Sequence, residues 1–329
     1  MHGYRRFCNK IYQATRYVLG KLPPTFKPQP HSACPSPKIS LAERWILHKL
    51  TITSREINEA LTEREFSNAA TIVYQYWYNH LCDVYIENSK SILQSGSPEE
   101  QNSALQTLYT ALERGLTMIH PMMPFLTEEL WQRLPRRPDD STPSIVVAAY
   151  PVYEQEMDDT VSEEAYELIL AITRSIRSLT AEYNIKDHAE VTVQLFDDRS
   201  HITCTEELDS IRSLCGAAVY FEGEVKIIDA GHEKPRGSVV AAVNASATVF
   251  LRVIGRINID AEIEKARKKL NAASDGVKKQ RTLLDDEKWQ QKADAKVQDG
   301  ERKKMENWEA ECREMEESIA SFEKLKLEK

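Results

Sequence analysis

Residues 67–93 read SNAATIVYQYWYNHLCDVYIENSKSIL, a stretch with helix-compatible spacing that is apolar over most of its circumference. Such a helix cannot be satisfied by one partner surface. It needs neighbours on several sides, which places it at the centre of a bundle. The flanking sequence supplies those neighbours. Tyr4, Phe7, Cys8, Ile11, Val18 and Leu22 are spaced by threes and fours, which predicts a first amphipathic helix. Leu22-Pro-Pro24 ends it, because proline cannot continue the hydrogen-bond ladder and disfavours a helical residue before it. Ser40-Leu-Ala-Glu43 and Ser97-Pro-Glu-Glu100 are capping boxes, in which a hydroxyl and a carboxylate satisfy two orphan amides reciprocally. The helices they open carry Trp45, Leu50, Ile57 and Leu61, then Leu105, Leu108, Leu112, Leu116 and Ile119. After breaks at Pro121 and Pro124 a short fifth helix runs through Leu130 and Trp131. Five helices with short connections predict an antiparallel helical bundle over residues 1–150.

The pattern then changes twice. Over residues 151–257 a helix from about Glu163 to Tyr183 precedes β-branched runs separated by Gly and Asn turns, including VTVQLF, AAVYFEG and VKIIDAG. This predicts a small α+β domain. Over residues 258–329 Ile259, Ile263, Ala266, Leu270, Ala273, Val277, Gln280 and Leu284 recur at four, three, four, three, and Met305, Trp308, Cys312, Met315, Ile319 and Phe322 repeat the heptad. The seam is lost between them, so an antiparallel coiled-coil hairpin is expected. The fold class is therefore mainly α.

Chemistry is sparse. Neither G-x-G-x-x-G nor G-x-x-x-x-G-K-[ST] occurs, nor H-E-x-x-H, nor G-x-S-x-G. His120, just before a proline at a helix break, reads as a bundle histidine with its hydrogen bonds satisfied. The pairs Asp139-Asp140 and Asp158-Asp159 read as solvated carboxylates. The six cysteines lack metal-ligand spacing, so no metal is expected and the thiols read as reduced, in an intracellular protein. No run of 18 apolar residues exists, which excludes a helical membrane span. The net charge of -8 argues against indiscriminate nucleic-acid binding, so neither DNA nor a membrane is an expected partner. Yet the first acid is Glu43, preceded by seven Lys or Arg.

That local positive charge falls on the polar side of the first helix. There Asn9 and Gln13 can pair with base edges, while Lys10 and Arg16 can meet phosphate or stack on a base, a mixture that suits unpaired loop nucleotides. A merely solvated basic face fits equally well, and an arginine-bearing, acid-free amphipathic helix also describes a mitochondrial presequence. The aromatic cluster Tyr74, Tyr76, Trp77, Tyr78 and Tyr85 can be read as a base-stacking platform, but at helical spacing it is expected in the core with one or two tyrosines at the rim. In the tail Arg267, Lys268, Lys269, Lys278, Lys279 and Arg281 are basic groups on the first heptad helix. By themselves they describe a solvated surface.

GYRRFCNKIYQATRYVLG, NAATIVYQYWYNHLCDVYIENSK and HPMMPFLTEELWQRLP, in that order and at those separations, resemble the carboxy-terminal portion of the valyl-tRNA synthetases. The resemblance runs through the whole chain, heptads included. Leucyl and isoleucyl synthetases share the bundle but not this wording. The resemblance implies an anticodon-binding bundle, a small linker domain and a coiled-coil arm that touches the tRNA elbow, with valine tRNA as partner. It implies anticodon contacts at Asn9, Lys10, Gln13 and Arg16, and elbow contacts at the six basic groups of the tail. The family's H-x-G-H and K-M-S-K-S signatures do not occur here, nor does an editing domain. The chain is therefore expected to be inactive alone, with no cofactor of its own; ATP and magnesium belong to the full-length family, and a separate catalytic chain is a possible partner. Met1 at the start of the bundle suggests a fragment, a split gene product or a lost front. The expected location is cytoplasmic, with mitochondrial import as the alternative. A coiled-coil interaction or scaffold protein derived from the synthetase is the other functional reading.

Overall fold

The computed structural model describes residues 2–31, 39–216, 224–286, 289 and 294–327. The strand expected at 217–223 and the loop over 32–38 lie outside them. The fold is predominantly helical, with one small mixed sheet and two long carboxy-terminal helices. It divides into two units: Met1–Arg174 with Asp197–Gly216, and Ser175–Phe196 with Ala217–Lys329.

The first unit opens with α1 (His2–Lys21), whose apolar stripe buries Phe7, Ile11, Ala14 and Val18 as its spacing predicts. Next, α2 (Leu41–Thr62) starts at the Ser40 capping box and buries Trp45, Ile46, Leu50 and Ile57. The central apolar stretch begins at α3 (Phe66–Gln75) and ends at α4 (Ile86–Ser95), but between them Tyr76–Tyr85 is a π-helix. The Ile86 amide accordingly bonds to the Leu81 carbonyl, five residues back.

Tertiary bonds accompany that wide turn. Tyr76 donates its hydroxyl to the Ala111 carbonyl at 2.9 Å, and Trp77 donates its indole N–H to the Gly115 carbonyl at 3.1 Å. Both acceptors lie on α5 (Pro98–Ile119), which begins at the Ser97 capping box. Gly115 makes the approach possible, since a Cβ there would sit 3.1 Å from the Tyr76 ring and 3.2 Å from that of Trp77. α6 (Pro124–Trp131) follows the expected break at Pro121; Pro124, expected as a second break, is instead its first residue, where its missing amide costs nothing, and the helix buries Thr127, Leu130 and Trp131.

The linker carboxylates are not simply solvated. Asp159 accepts from the Ser162 amide at 2.9 Å at the start of α7 (Thr160–Glu182), and Asp158 accepts from the Tyr153 hydroxyl at 2.6 Å. Asp139 accepts from the His31 amide and Asp140 from the Thr142 amide, each at 2.8 Å. Short acidic side chains in turns find nearby amides, which competes with solvation.

In the second unit, β1 (Glu190–Leu195), β2 (Glu224–Asp229), β3 (Ser238–Asn244) and β4 (Ala247–Arg252) form a sheet of order β2-β1-β4-β3. β1 runs parallel to β2 and antiparallel to β4, with Val193 opposite Ile227 on one side and Val249 on the other. A parallel pair requires a crossover. Here it is made by α8 (Asp198–Glu206) and α9 (Leu208–Cys215), which belong to the first unit. The Ser213 hydroxyl of α9 donates to the Glu87 carbonyl of α4 at 3.2 Å.

The long helices are α10 (Ile259–Leu284), capped by Asn258, and α11 (Ala295–Leu327). Their contacts run in opposite chain directions. Asp260 meets Lys326 at 2.5 Å, Arg267 meets Glu323 at 3.1 Å, and Gln280 donates to Glu301 at 2.5 Å. The periodic positions of α10 from Ile259 to Leu284 are buried or half-buried. Gly276 lets the Trp308 ring cross close by, where a Cβ would come within 2.8 Å of it.

Candidate nucleic-acid interface

The burial that fixes α1 also fixes what it shows. With Phe7, Ile11, Ala14 and Val18 inward, Arg5, Arg6, Asn9, Gln13 and Arg16 are exposed. Asn9, Gln13 and Arg16 make no side-chain hydrogen bond or ion pair among the described residues, so two amides and a guanidinium face outward uncommitted.

Lys10 differs from them. Its Nζ lies 2.6 Å from Asp83 Oδ1 and 3.3 Å from the centre of the Tyr78 ring. Partial burial opposes its charge, but the hydrogen bond and negative charge of Asp83 outweigh that and raise its pKa above the ordinary lysine value. It remains a cation already supplied with an anion and a π-face. Asp83 and Tyr78 both lie on the π-helical stretch, so that stretch decides where the lysine points.

The aromatic cluster divides as its spacing suggests. Tyr76, Trp77 and Tyr85 are fully buried, while Tyr74 and Tyr78 remain 42% and 36% exposed. The rim pair is stacked at 5.5 Å, with Phe7 4.7 Å from Tyr74 on α1 and Lys10 over Tyr78. These faces are spent on one another, so the pair braces α1.

His120 is hydrogen-bonded through Nδ1 to the Thr127 hydroxyl at 2.7 Å, a structural arrangement. Among the described residues, His31, Glu113 and Asp140 bring possible metal-ligand atoms within 4.8 Å of one another. A cation does not fit there, because Arg137 already places a guanidinium nitrogen 2.7 Å from the Glu113 carboxylate.

The six basic groups of the tail are exposed along α10. Arg267 pairs with Glu323, Lys268 with Glu264 at 2.7 Å, and Lys278 with Asp275 at 3.5 Å. Lys269, Lys279 and Arg281 make no ion pair among the described residues. They do not converge: from Arg267 to Arg281 is about 21 Å of helix at 1.5 Å per residue.

Residues 43–195 match the family model described as the anticodon-binding domain of tRNA ligase. The chain is 42% identical to the mitochondrial valine–tRNA ligase of Saccharomyces cerevisiae over 99% of its length, and 34% identical to the valine–tRNA ligase of Homo sapiens over 98%. The chain matches the anticodon-binding region of valine–tRNA ligases. It spans 29% of the yeast protein and 25% of the human one, so these residues correspond to a minor part of each ligase. A bacterial valine–tRNA ligase, from Pseudothermotoga lettingae, is 34% identical over 87% of this chain. The family model begins after α1, but the ligase alignments cover nearly the whole chain and thus include it.

Proposed function

We propose that the chain binds the anticodon arm of valine tRNA through the exposed side of α1, and the tRNA elbow through α10 and α11 acting as an antiparallel coiled-coil arm. The carrying observation is the uncommitted set Asn9, Gln13 and Arg16 on a helix whose opposite side is locked in the bundle. Its composition suits an RNA loop: amides for base edges and a guanidinium for phosphate or a base plane. The binding serves ATP-dependent attachment of valine. Activation of the amino acid, with ATP and magnesium, falls to ligase portions beyond these residues, in the same or a separate chain.

The test is the affinity for valine tRNA carrying native and altered anticodons, across a salt series. Binding should prefer the native anticodon and weaken with salt, with the log–log slope shallower by about 0.7–0.9 for each phosphate contact removed. Arg16→Ala should weaken binding clearly. Lys10→Ala should weaken it less, because Asp83 already neutralises that lysine. No anticodon preference, together with no effect of Arg16→Ala, refutes the reading. Removing residues of α1 as a presequence would strip Phe7, Ile11, Ala14 and Val18 from the core, so the reading takes α1 to be retained in the working protein. The amino-terminal mass of the protein isolated from cells tests this: a cut within α1 would overturn it.

A further inference from the structure

Four of the basic groups on α1, Arg5, Arg6, Arg16 and Lys21, are exposed and make no ion pair among the described residues. Lys10 is the exception. Its partner Asp83 comes from the π-helical stretch, and the side chain of that acid is 51% exposed. The pair therefore reaches solvent at the seam between α1 and the π-helix, with Asn9 next to Lys10 in sequence and Gln13 one turn farther on.

The wide turn makes this pairing possible. Tyr78 and Asp83 are five residues apart, yet both engage the same ammonium group, the carboxylate from 2.6 Å and the ring from 3.3 Å to its centre. On an α-helix, residues five apart point about 140° away from each other. Closure from residue i to i+5 stacks them instead, so a carboxylate and a π-face converge on one cation.

Electrostatics gives the arrangement a use. Non-specific RNA binding is carried by cations that meet phosphates and release counterions. Base edges are read by groups such as the amides of Asn9 and Gln13. A free lysine between those amides would attract any RNA, whatever its loop. Held by Asp83, it offers little net charge, and the exposed carboxylate opposes a phosphate that comes near. Discrimination is a difference of affinities, and weakening the wrong complex serves as well as strengthening the right one.

We propose that Asp83 is a positioning residue for specificity: by holding Lys10 against Tyr78 it withholds that cation from generic phosphate, so that RNA is selected on α1 by its bases. The inference rests on the RNA-binding reading above. It adds a residue that acts against the wrong RNA.

The full chain is titrated with two RNA hairpins of equal length, one carrying the valine tRNA anticodon loop and one carrying that loop scrambled, across a salt series. One additional phosphate contact is worth about 4- to 6-fold at about 0.15 M salt, from a log–log slope of about 0.7–0.9. Asp83→Asn should therefore bind the scrambled hairpin about 4- to 6-fold more tightly, with a slope steeper by about 0.7–0.9. The valine hairpin, kept in register by its base contacts, should gain less, so the preference for it narrows. Asp83→Glu, which keeps the charge, should retain the native preference and slope. Adding Lys10→Ala to Asp83→Asn should abolish the gain. An unchanged slope in Asp83→Asn, an equal change on both hairpins, or a gain that survives the loss of Lys10 overturns the proposal. If Arg16→Ala still weakens binding to the valine hairpin, the RNA-binding reading stands without it. If the native chain does not prefer the valine loop and Arg16→Ala has no effect, both fall.

Discussion

Arg137 and Glu113 form the most deeply buried ion pair among the described residues of the amino-terminal unit. Their side chains are 3% and 7% exposed. Arg137 donates through Nε to Glu113 Oε2 at 2.8 Å, through Nη1 to the Gln29 carbonyl at 2.6 Å and through Nη2 to the Thr110 hydroxyl at 3.1 Å. The Tyr109 hydroxyl lies 3.0 Å from the other Glu113 oxygen, but its single proton also has the Pro135 carbonyl at 2.7 Å. Arg137→Met would thus leave a buried carboxylate with at most one shared donor among these groups. Breaking such a pair from one side costs about 3–5 kcal/mol, whereas replacing both partners by apolar residues is often neutral. The exposed pair Arg133 and Glu129, each 63% exposed, is the internal control, for which Arg133→Ala should cost under about 1 kcal/mol. Hydrogen exchange of α5 amides in a urea series isolates this unit from the other. At 1.4 kcal/mol per tenfold, Arg137→Met should raise the opening equilibrium by two to three and a half powers of ten. The double variant Glu113→Leu with Arg137→Met should recover most of that loss. A single-variant cost no larger than that of Arg133→Ala, or a double-variant cost equal to the sum of the singles, would refute the reasoning.

Other perturbations follow from the same contacts. Gly115→Val should lower the melting temperature by an amount equivalent to about 1–3 kcal/mol, because its side chain meets the buried rings of Tyr76 and Trp77; Gly115→Ala should be closer to neutral, as it regains about 1 kcal/mol of helix propensity. Gly276→Leu should push the Trp308 ring off α10 and shift its emission to the red, which a native-like spectrum would disprove. The His80 pKa is lowered to about 4, first by burial and then by the positive charge of Lys49. The unfolded chain therefore takes up a proton near pH 6.5 that the folded one refuses, so this contribution to stability is complete above pH 6.5 and falls by about 3 kcal/mol on the way down to pH 4. His80→Leu should remove that part of the slope, and an unchanged slope would count against it.

Features governed by neighbouring residues were readable in the sequence. Both capping boxes, the inward stripe of α1 and the seam of α10 depend on residues three or four apart, and each lies where its spacing puts it. Features set by distant partners were not. The π-helix depends on room at Gly115, some 38 residues beyond Trp77, and no local pattern announces it. Lys10 looked like a free cation beside Asn9 and Gln13, but its anion is 73 residues away on that same π-helix. The partnership of Arg137 with Glu113 was likewise invisible, since a surface arginine and a buried one are the same letter.

The crossover between β1 and β2 carries a consequence for how this chain can be divided. Because α8 and α9 belong with the helices while the strands on either side belong with the sheet, the polypeptide changes allegiance at three points, between residues 174 and 175, 196 and 197, and 216 and 217. Neither unit is a continuous stretch of gene. A stop codon or protease cut after α7 would leave the bundle without α9, whose Ser213 bonds to the Glu87 carbonyl, and would discard the sheet as well. Inheritance of the two units is thereby coupled: a single break between residues 175 and 216 leaves neither unit whole in either fragment.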